Sequence, residues 1–433
     1  VAVAGAPRRR SAAPARLGGL QAGLAGVEAS VSAPSRRPRR ARRPRRQKGP
    51  VTYAEEGPER YEEQLQGKIS WLRKLFGIYL QDVELRVCRS EPLHYLHRSG
   101  FGVEHHCGVA HRRRVISPSD PKTVDGLPVR VHRGLAEAMS YGRRVSLRIN
   151  ELLPVLREAL TTDCARCEDL ASCKILSGSD GDALVALWYN CELDDSWKGG
   201  FADPLASRMR CSVIGYAKGM EQRFCSGGSG RILQRFEVGG RSFPQFRHEG
   251  VFCQSNLGTC QQMMEWAAEV TREPSGLAAE SDLLELYCGS GNFTLPLAGN
   301  FRKVLATEQN ELAIRLAREA QQLAGVGNAT FIRMSAEDVV SALKAGPRSI
   351  LPNYDFRTCF ANPPRSGLGS YARHIASQVP RLVYVSCSPQ TLLADLQWID
   401  AQWEGRLRIP EAAFFDQFPY SHHAEVGMVL ERY

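Results

Sequence analysis

The chain has 433 residues, of which 43% are hydrophobic and 24% charged, and this is typical of a globular protein with two or three domains. No apolar run approaches the length of a membrane-spanning helix, so we expect no membrane partner. The net charge of +10 comes from residues 1–48, where 12 Arg and Lys48 face one acid, Glu28; all other residues together carry −2. The basicity of the whole chain therefore gives no evidence that its folded part binds nucleic acid.

Residues 1–50 form a tail rich in Ala, Arg, Pro and Ser, which we expect to be disordered. An Arg-rich, acid-poor N-terminus is typical of an organelle transit peptide and predicts a plastid or mitochondrial location. The alternative is a permanent basic arm that holds RNA by its phosphates, in an otherwise cytoplasmic protein. The Ala-rich beginning favours the transit peptide.

The 13 cysteines have no regular spacing, which indicates reduced thiols rather than a disulfide framework. The one local cluster is Cys164, Cys167 and Cys173. With a fourth ligand it could hold zinc or part of an iron–sulfur cluster. Because no second CxxC pair follows, a loop between helices is the favoured interpretation, and we expect no metal.

The folded body begins with the stretch 61–76, whose apolar residues recur at helical spacing. From residue 85 to about 250 the pattern changes to short strands mixed with helices, as in "LRVCRS", "ALVALWYN" and "CSVIGYAK". We interpret residues 51–250 as an α+β domain that binds the substrate.

Residues 251–433 show a different rhythm, in which a turn and a strong helix at 252–273 are followed by alternating strands and helices. This alternation predicts a doubly wound, parallel, Rossmann-like α/β sheet. The five predicted strands are "DLLELYC", "KVLATE", "ATFIRM", "DFRTCFA" and "RLVYVSC".

The first of these strands runs into a Gly-rich turn in "LLELYCGSGNFTLPLA". Gly289 and Gly291 allow a sharp turn and a close approach of the backbone to a ligand. Glu308, nineteen residues after Gly289, ends the next strand, where it can accept hydrogen bonds from ribose hydroxyls. A dinucleotide fingerprint would have a third Gly where this chain has Leu295, so the stretch favours S-adenosylmethionine. A nicotinamide-dependent oxidoreductase stays as an alternative.

Two further strand ends point to the same crevice. Asn362 precedes two prolines after the fourth strand, where a planar amide can read the edge of a base. Cys387 ends the fifth strand, and its interpretations are a core residue, a metal ligand or a nucleophile. Small flanking residues at a strand end beside a cofactor crevice favour the nucleophile.

Glu425 lies just before an apolar strand near the C-terminus, so we expect it to be buried or half-buried, with a raised pKa that suits a general base. A methyl donor, a thiol and a base together point to methylation of carbon 5 of a pyrimidine. That carbon becomes nucleophilic when a thiolate adds to carbon 6, and the thiolate leaves after the base removes the C5 proton.

The whole set of motifs resembles the TrmA-type tRNA (uracil-5-)-methyltransferase family, which makes the thymine of the T-loop. The resemblance runs from about residue 55 to the end and depends on several motifs in order. They are "YEEQLQGKISWL", "RSEPLHYLHR", "ELDDSW", "FCQSNLGTCQQMMEWAAEVT", "LLELYCGSGNFTLPLA", "VLATE", "NPPRSGL", "YVSCSPQTL" and "FDQFPYSHHAEVGMVL".

This resemblance implies a role for each matching residue. Cys387 matches the family's nucleophile and Glu425 its base. The residues implied to contact S-adenosylmethionine are Gln254, Tyr287, Gly289, Asn292, Glu308 and Asn362. Those implied to contact the tRNA are Tyr95, Arg98, Phe101 and Arg365. At Asn362 the family usually has Asp, so this chain keeps an acceptor oxygen, loses a charge and gains an NH2 donor.

We therefore expect an S-adenosylmethionine-dependent methyltransferase that acts on C5 of a tRNA uridine, as a monomer. One alternative is the same chemistry on rRNA; however, the related rRNA enzymes carry an iron–sulfur cysteine motif and an extra barrel, which this sequence does not show. Another is an N-methyltransferase, suggested by the Asn-Pro-Pro run, which would need neither Cys387 nor Glu425. A third is a tRNA-binding factor that has lost turnover.

Overall fold

A computed structural model describes seven segments of the chain. They are residues 57–105, 114–118, 142–162, 169–217, 223–272, 280–345 and 354–433. The predicted tail, Cys164 and Cys167 lie outside them, whereas Cys173 is buried in a strand. Within these segments, no cluster of His, Cys, Asp or Glu could hold a metal ion, and no helix is long and apolar enough to cross a bilayer.

The larger sheet has eight strands, and it contains all five strands predicted for a parallel sheet. In chain order the strands are β1 (Leu85–Cys88), β10 (Asp282–Leu286), β11 (Lys303–Glu308), β12 (Ala329–Arg333), β13 (Phe356–Ala361), β14 (Arg381–Ser386), β15 (Leu407–Phe415) and β16 (Glu425–Arg432). Their spatial order is β1-β15-β16-β14-β13-β10-β11-β12. The strand order reverses between β13 and β10, which is where ligands bind in sheets of this kind.

Most neighbours in this sheet pair in parallel, and β16 runs antiparallel to both β14 and β15. The sheet is buried on both faces. Along β14, Leu382 and Tyr384 pack into one apolar cluster, and Val383 and Val385 pack into another. This alternation explains why the strand reads as a continuous apolar run in the sequence.

Ten α-helices lie in the described segments. They are α1 (Tyr61–Phe76), α2 (Leu147–Thr162), α3 (Asp195–Trp197), α4 (Asp203–Met209), α5 (Leu257–Val270), α6 (Thr294–Leu297), α7 (Glu311–Ala324), α8 (Ala336–Lys344), α9 (Gly369–Gln378) and α10 (Pro389–Gln402). Several begin at a side-chain cap: Asn310 caps α7, and Ser335 forms a capping box with Asp338 at α8. These caps place the helix starts directly after the carboxyl ends of β11 and β12.

A second sheet has six strands in the order β3-β2-β4-β5-β6-β7. Its strands are β2 (Arg98–His105), β3 (Arg114–Pro118), β4 (Leu170–Ser177), β5 (Ala183–Tyr189), β6 (Ser212–Tyr216) and β7 (Arg223–Ser226). A hairpin of β8 (Ile232–Val238) and β9 (Arg241–Arg247) follows, turning at two glycines with positive φ. It packs on α7 and joins the two sheets.

The first strand, β1, does not lie in the N-terminal sheet with which the sequence pattern grouped it. It pairs in parallel with β15 at the edge of the large sheet, from Leu85 opposite Ala412 to Cys88 opposite Phe415. The helix α1, whose predicted bounds the structure confirms, packs against α10 of the same half. A four-residue strand carries no local sign of the sheet it joins, because that choice depends on a partner more than 300 residues away.

Candidate active site

The end of β14 brings Cys387 opposite Glu425. The two strands pair antiparallel, with Val385 opposite Gly427 and Ser386 opposite Val426. Continuing this register by one residue sets Cys387 beside Glu425, the first residue of β16. Opposite residues on antiparallel strands have Cα atoms about 4.5–5.5 Å apart and project to the same face. The thiol and the carboxylate predicted as nucleophile and base therefore share one site.

Both residues line a cavity of about 630 Å³ at the carboxyl ends of the parallel strands. This is a typical size for a small-molecule site. Its wall also contains Gln254, Tyr287, Gly289, Glu308, Asn362 and Arg365 from the predicted set. The structure thus brings together most of the residues expected to bind cofactor and substrate, as the doubly wound topology predicts.

Glu425 is buried, and burial raises the pKa of its carboxyl group to about 7. Two partners oppose this shift: Gln254 Nε2 donates a hydrogen bond to Glu425 Oε1 at 3.3 Å, and the positive charge of Arg365 lies nearby. A carboxyl group with a pKa near 7 is ionised in part at neutral pH and binds a proton readily, which suits a general base.

Cys387 is half-buried, and its surroundings disfavour the thiolate form. Burial raises the pKa of the thiol to about 11, and the charge of Glu425 raises it further. The Arg365 guanidinium opposes both effects through its charge and a hydrogen bond to the thiol. Arg365 is therefore the described residue best placed to stabilise a thiolate when one forms.

The Gly-rich turn after β10 is held against the end of β11. Gly289 has φ +57° and its N–H donates to Glu308 Oε2 at 3.2 Å. Glu308 Oε1 accepts hydrogen bonds from the N–H groups of Gln309 at 2.8 Å and Asn310 at 2.9 Å. Gly291 has φ +82°, and a Cβ there would meet Phe331 at 3.1 Å. These contacts fix the carboxylate at the cavity wall, where it can accept from a ribose.

The residues around this turn fit S-adenosylmethionine. The Nδ2 group of Asn292 is buried and has no hydrogen-bond partner among the described residues, so it offers donors to a polar ligand. Tyr287 adopts φ +61° and its hydroxyl donates to the carbonyl of Leu368 at 2.6 Å, which fixes the ring at the cavity. The cavity wall there also carries the apolar side chain of Met334, which suits a purine ring.

The loop after β13 supplies Asn362 and Arg365. Asn362 is half-buried and lies in the cavity wall with Cys387 and Glu425. The two prolines between Asn362 and Arg365 remove backbone donors and fix the direction of the loop. The amide at Asn362 is uncharged, and it offers both an acceptor oxygen and an NH2 donor to the cavity.

The predicted RNA-contacting residues separate into two groups. Arg98 lies in the cavity wall, where its guanidinium donates to the carbonyls of Glu249 and Val251. Tyr95 and Phe101 are buried outside the cavity wall, and the Tyr95 hydroxyl donates to the carbonyl of Pro419 at 3.0 Å. The structure therefore does not bring Tyr95 and Phe101 to the site.

Several residues of the cavity wall were not predicted from the sequence, and Phe252, Lys174 and Met334 are among them. Phe252 has 67% of its side chain exposed, and Lys174 projects from β4. A signal for Lys174 exists, since it is the one charged residue in the strand "LASCKILS". No local pattern distinguishes Phe252 from a core aromatic residue.

Known proteins resemble this chain over most of its length. A family model described as tRNA (Uracil-5-)-methyltransferase matches residues 60–433. A tRNA/tmRNA (uracil-C(5))-methyltransferase from Chromohalobacter salexigens is 36% identical over 387 residues, covering 87% of this chain and 96% of that protein. A protein of the same description from Ectopseudomonas mendocina is 35% identical over 386 residues, covering 87% of this chain and 98% of its own.

A solved structure shares the fold. It is the Pyrococcus abyssi tRNA (uracil-54, C5)-methyltransferase in complex with S-adenosyl-L-homocysteine, with a TM-score of 0.58, 20% identity, and coverage of 86% of this chain and 82% of that one. The family model spans both sheets and every residue of the candidate site. The chain therefore belongs to the tRNA (uracil-5-)-methyltransferase family.

Proposed function

We propose that this protein transfers a methyl group from S-adenosylmethionine to carbon 5 of a uridine in tRNA. The observation that supports it most directly is the pairing of Cys387 with Glu425 in the same cavity as the Gly289 turn and Glu308. This arrangement combines a thiol that can make C5 nucleophilic, a carboxylate that can act as a base, and a pocket for the methyl donor. The family relatives named above carry the same activity in their descriptions.

Bound S-adenosylmethionine supplies an electrophilic methyl group. Gln254, Tyr287, Asn292, Glu308 and the amide of Gly289 are proposed to hold it beside Cys387. The Glu308 carboxylate would hold the donor without reorganisation, since backbone N–H groups already fix that carboxylate.

The reaction proposed on the uracil has three steps. Cys387 Sγ, as the thiolate next to Arg365, bonds to C6, and the electrons of the C5–C6 double bond move toward O4 as an enolate. C5 would then bond to the methyl group as the bond between that group and the donor sulfur breaks, which would release S-adenosylhomocysteine and restore the O4 carbonyl. Glu425 removes the proton from C5, and the C5–C6 double bond forms again as the bond between C6 and Sγ breaks.

The substrate must present its uridine outside a base stack, because the thiol lies inside the cavity. Extruding a base from an RNA loop costs a few kcal/mol, which contacts with the protein must offset. Phe252 and Phe418, which line the cavity, are the aromatic residues placed to hold the extruded base. Asn362 and Arg365 are proposed to contact its polar edge.

The test uses tRNA that contains 5-fluorouracil, together with S-adenosylmethionine. Fluorine cannot leave as a proton does, so the adduct between Cys387 and the methylated base should accumulate and survive denaturation. We expect an adduct with the wild type and none with Cys387→Ala. Absence of an adduct despite tRNA binding would contradict the proposal and favour a binding factor; an adduct with rRNA instead would assign the other substrate.

The location of the protein is a separate proposal. We infer from the tail composition that residues 1–50 direct the protein to a plastid or mitochondrion. The tail lies outside both the described residues and the family match, and the bacterial relatives give this proposal no support. Fusing residues 1–50 to a fluorescent protein in a eukaryotic cell tests it; diffuse fluorescence would contradict it.

Deleting residues 1–48 should leave methyl transfer intact, whereas a loss of tRNA affinity would identify a basic arm.

A further inference from the structure

The two faces of the six-stranded sheet have different surroundings. Side chains alternate between the faces, and one face, which includes Phe101, Ile175 and Leu187, packs in the core with α2 and α4. On the opposite face, Leu176 and Leu184 pack against Ile232 of the β8–β9 hairpin. The hairpin covers this end of the second face.

The other end of the second face carries a row of polar and aromatic residues. The strand register sets Ser172, Trp188, Tyr216 and Arg223 opposite one another on β4, β5, β6 and β7. The Trp188 and Tyr216 rings stack with centroids 5.2 Å apart and planes 12° apart. Tyr216 is buried, Trp188 remains partly exposed and Arg223 is exposed, so Trp188 and Arg223 are the accessible part of this row.

Lys174 links this row to the active-site cavity. Its Nζ lies 4.7 Å from the centroid of the Trp188 ring, and the same side chain lines the cavity together with Arg98 and Gly100. Because β5 lies between β4 and β6, Lys174 approaches Trp188 from the side opposite to Tyr216. The row that contains Trp188 lies two residues further along the strands, roughly 7 Å, from the row that contains Lys174 and Gly100.

The charge of this surface is positive. Arg98, Lys174 and Arg223 all project from the same face. Arg223 Nη2 lies 3.2 Å from Nε2 of His248, whose pKa burial lowers to about 4, so this histidine is neutral at pH 7. The nearby Glu249 is buried, and burial raises the pKa of its carboxyl group to about 7. Cations beside a stacked aromatic pair suit a single strand of nucleic acid.

We propose that this surface, formed by Lys174, Trp188 and Arg223, binds the RNA strand next to the extruded uridine. A base stacks on the face of Trp188 that Lys174 occupies in the free protein, and the flexible Lys174 side chain moves to a phosphate. Arg223 holds a phosphate further along the strand. The inference rests on the proposed function, since this surface would bind the part of the RNA substrate that lies just outside the active-site cavity.

The test compares Trp188→Leu with wild type, using an elongator tRNA transcript in filter binding and in methyl-transfer kinetics. Loss of one base stack corresponds to a roughly 5- to 100-fold weaker Kd and a similar rise in KM. Trp188→Phe keeps a ring and should recover most of the affinity. Lys174→Gln should reduce the slope of log K against log salt concentration by about 1.

A matched control lies at the other edge of the molecule. Tyr354 stacks on Phe356 with centroids 4.9 Å apart, and Lys303 Nζ lies 5.6 Å from the Tyr354 ring, so this group repeats the chemistry far from the cavity. Lys303 begins β11 at the end remote from the carboxyl edge. Tyr354→Leu should bind and methylate the transcript as wild type does.

The outcomes separate this inference from the proposed function. If wild type methylates the transcript and Trp188→Leu, folded by its melting curve, has the Kd and KM of wild type, the RNA surface is wrong and the reaction stands. If Trp188→Leu does not fold, Lys174→Gln decides, because an unchanged slope of log K against log salt concentration in this variant would overturn the inference. A wild type that methylates neither tRNA nor rRNA refutes the proposed function instead.

Discussion

Lys68 Nζ lies 2.7 Å from Oδ1 of Asp416, and this buried ion pair joins the first described helix to the loop before the last strand. Lys68 also donates to the carbonyl of Phe418 at 2.8 Å. Gln64, one turn earlier, donates to Asp416 Oδ2 at 2.8 Å. The loop thus held carries Phe418 into the cavity and leads into Glu425. Helix α1 therefore positions part of the active site from more than 300 residues away.

We predict that Lys68→Met destabilises the protein by about 3–5 kcal/mol, because it leaves the buried Asp416 carboxylate without its cation. Chemical unfolding at pH 7 measures the change. Arg86→Met is the control, since it removes an ion pair with Glu269 that is largely exposed and should cost less than about 1 kcal/mol. If the two substitutions lower the free energy of unfolding equally, burial of the ion pair between Lys68 and Asp416 does not increase its contribution to stability.

Glu425→Gln should lower the turnover number by roughly 10²–10⁴-fold, which is the usual contribution of a general base. The thiol can still add to C6 and the methyl group can still transfer, whereas the C5 proton stays. A methylated covalent complex should therefore accumulate on ordinary tRNA, and denaturing gels detect it. Cys387→Ala should give neither complex nor product. If Glu425→Gln turns over as fast as wild type, another residue removes the proton.

The pH dependence of kcat/KM should reflect Glu425. The base acts when ionised, and burial raises the pKa of this carboxyl group to about 7, so activity should fall as pH drops below about 7. The raised pKa of the Cys387 thiol acts in the same direction, because less thiolate is present at low pH. Initial rates between pH 5.5 and 9 test this. A profile that is flat down to pH 5 would contradict the raised pKa.

Asn362→Asp should raise methyl transfer or leave it unchanged. Asp has nearly the same shape, keeps an acceptor oxygen and is the residue usual in the family, so the cavity should accept it. Asn362→Leu, of similar size without polar atoms, should lose activity by tenfold or more. Single-turnover rates measure both. A large loss in Asn362→Asp would mean that the NH2 group of Asn362 has a role of its own.

Glu285 should make the folded protein less stable as pH rises. Burial in the centre of β10 raises the pKa of its carboxyl group to about 8, above its value of about 4.5 in an unfolded chain. The folded state then binds the Glu285 proton more tightly than the unfolded state does. This proton therefore stabilises the fold fully below about pH 4.5, and the stabilisation is lost as pH rises through 8.

Glu285→Gln removes this dependence, so the variant should gain stability relative to wild type between pH 5 and pH 8.5. Each unit of pKa difference corresponds to about 1.4 kcal/mol, and the gain at pH 8.5 should amount to a few kcal/mol. Urea unfolding at several pH values measures it. The exposed Glu237→Gln serves as control and should show the pH dependence of wild type. A constant difference between Glu285→Gln and wild type would contradict the prediction.

The parts of the fold that depend on local pattern could be predicted from the sequence. The five parallel strands, helix α1 and the Asn256-capped helix α5 each have an uninterrupted apolar period and a clear turn at one end. Residues at the carboxyl ends of those strands, such as Glu308 and Cys387, were predicted to meet because the topology brings strand ends to one edge.

The parts that depend on distant partners could not be predicted in this way. The local sequence pattern does not indicate which strand β1 pairs with, and in the structure this strand is β15. Tyr95 and Phe101 lie in a segment that resembles an RNA-contacting region, yet their rings fill the core, and an aromatic side chain has the same sequence signal in either place. Trp188 and Lys174 lie fourteen residues apart, and only the register of β4 and β5 brings them together.

The antiparallel insertion of β16 between β14 and β15 affects how the molecule is made. During synthesis, β14 and β15 emerge from the ribosome before residues 425–432, so each waits with an unpaired edge where β16 will insert. The loop that carries Asp416, to which α1 binds through Lys68, also emerges late. Helix α1 is therefore without this partner during almost the whole of translation. Pairing at such sequence separation forms slowly. We expect the nascent chain to need protection from aggregation until residues 425–432 have been added.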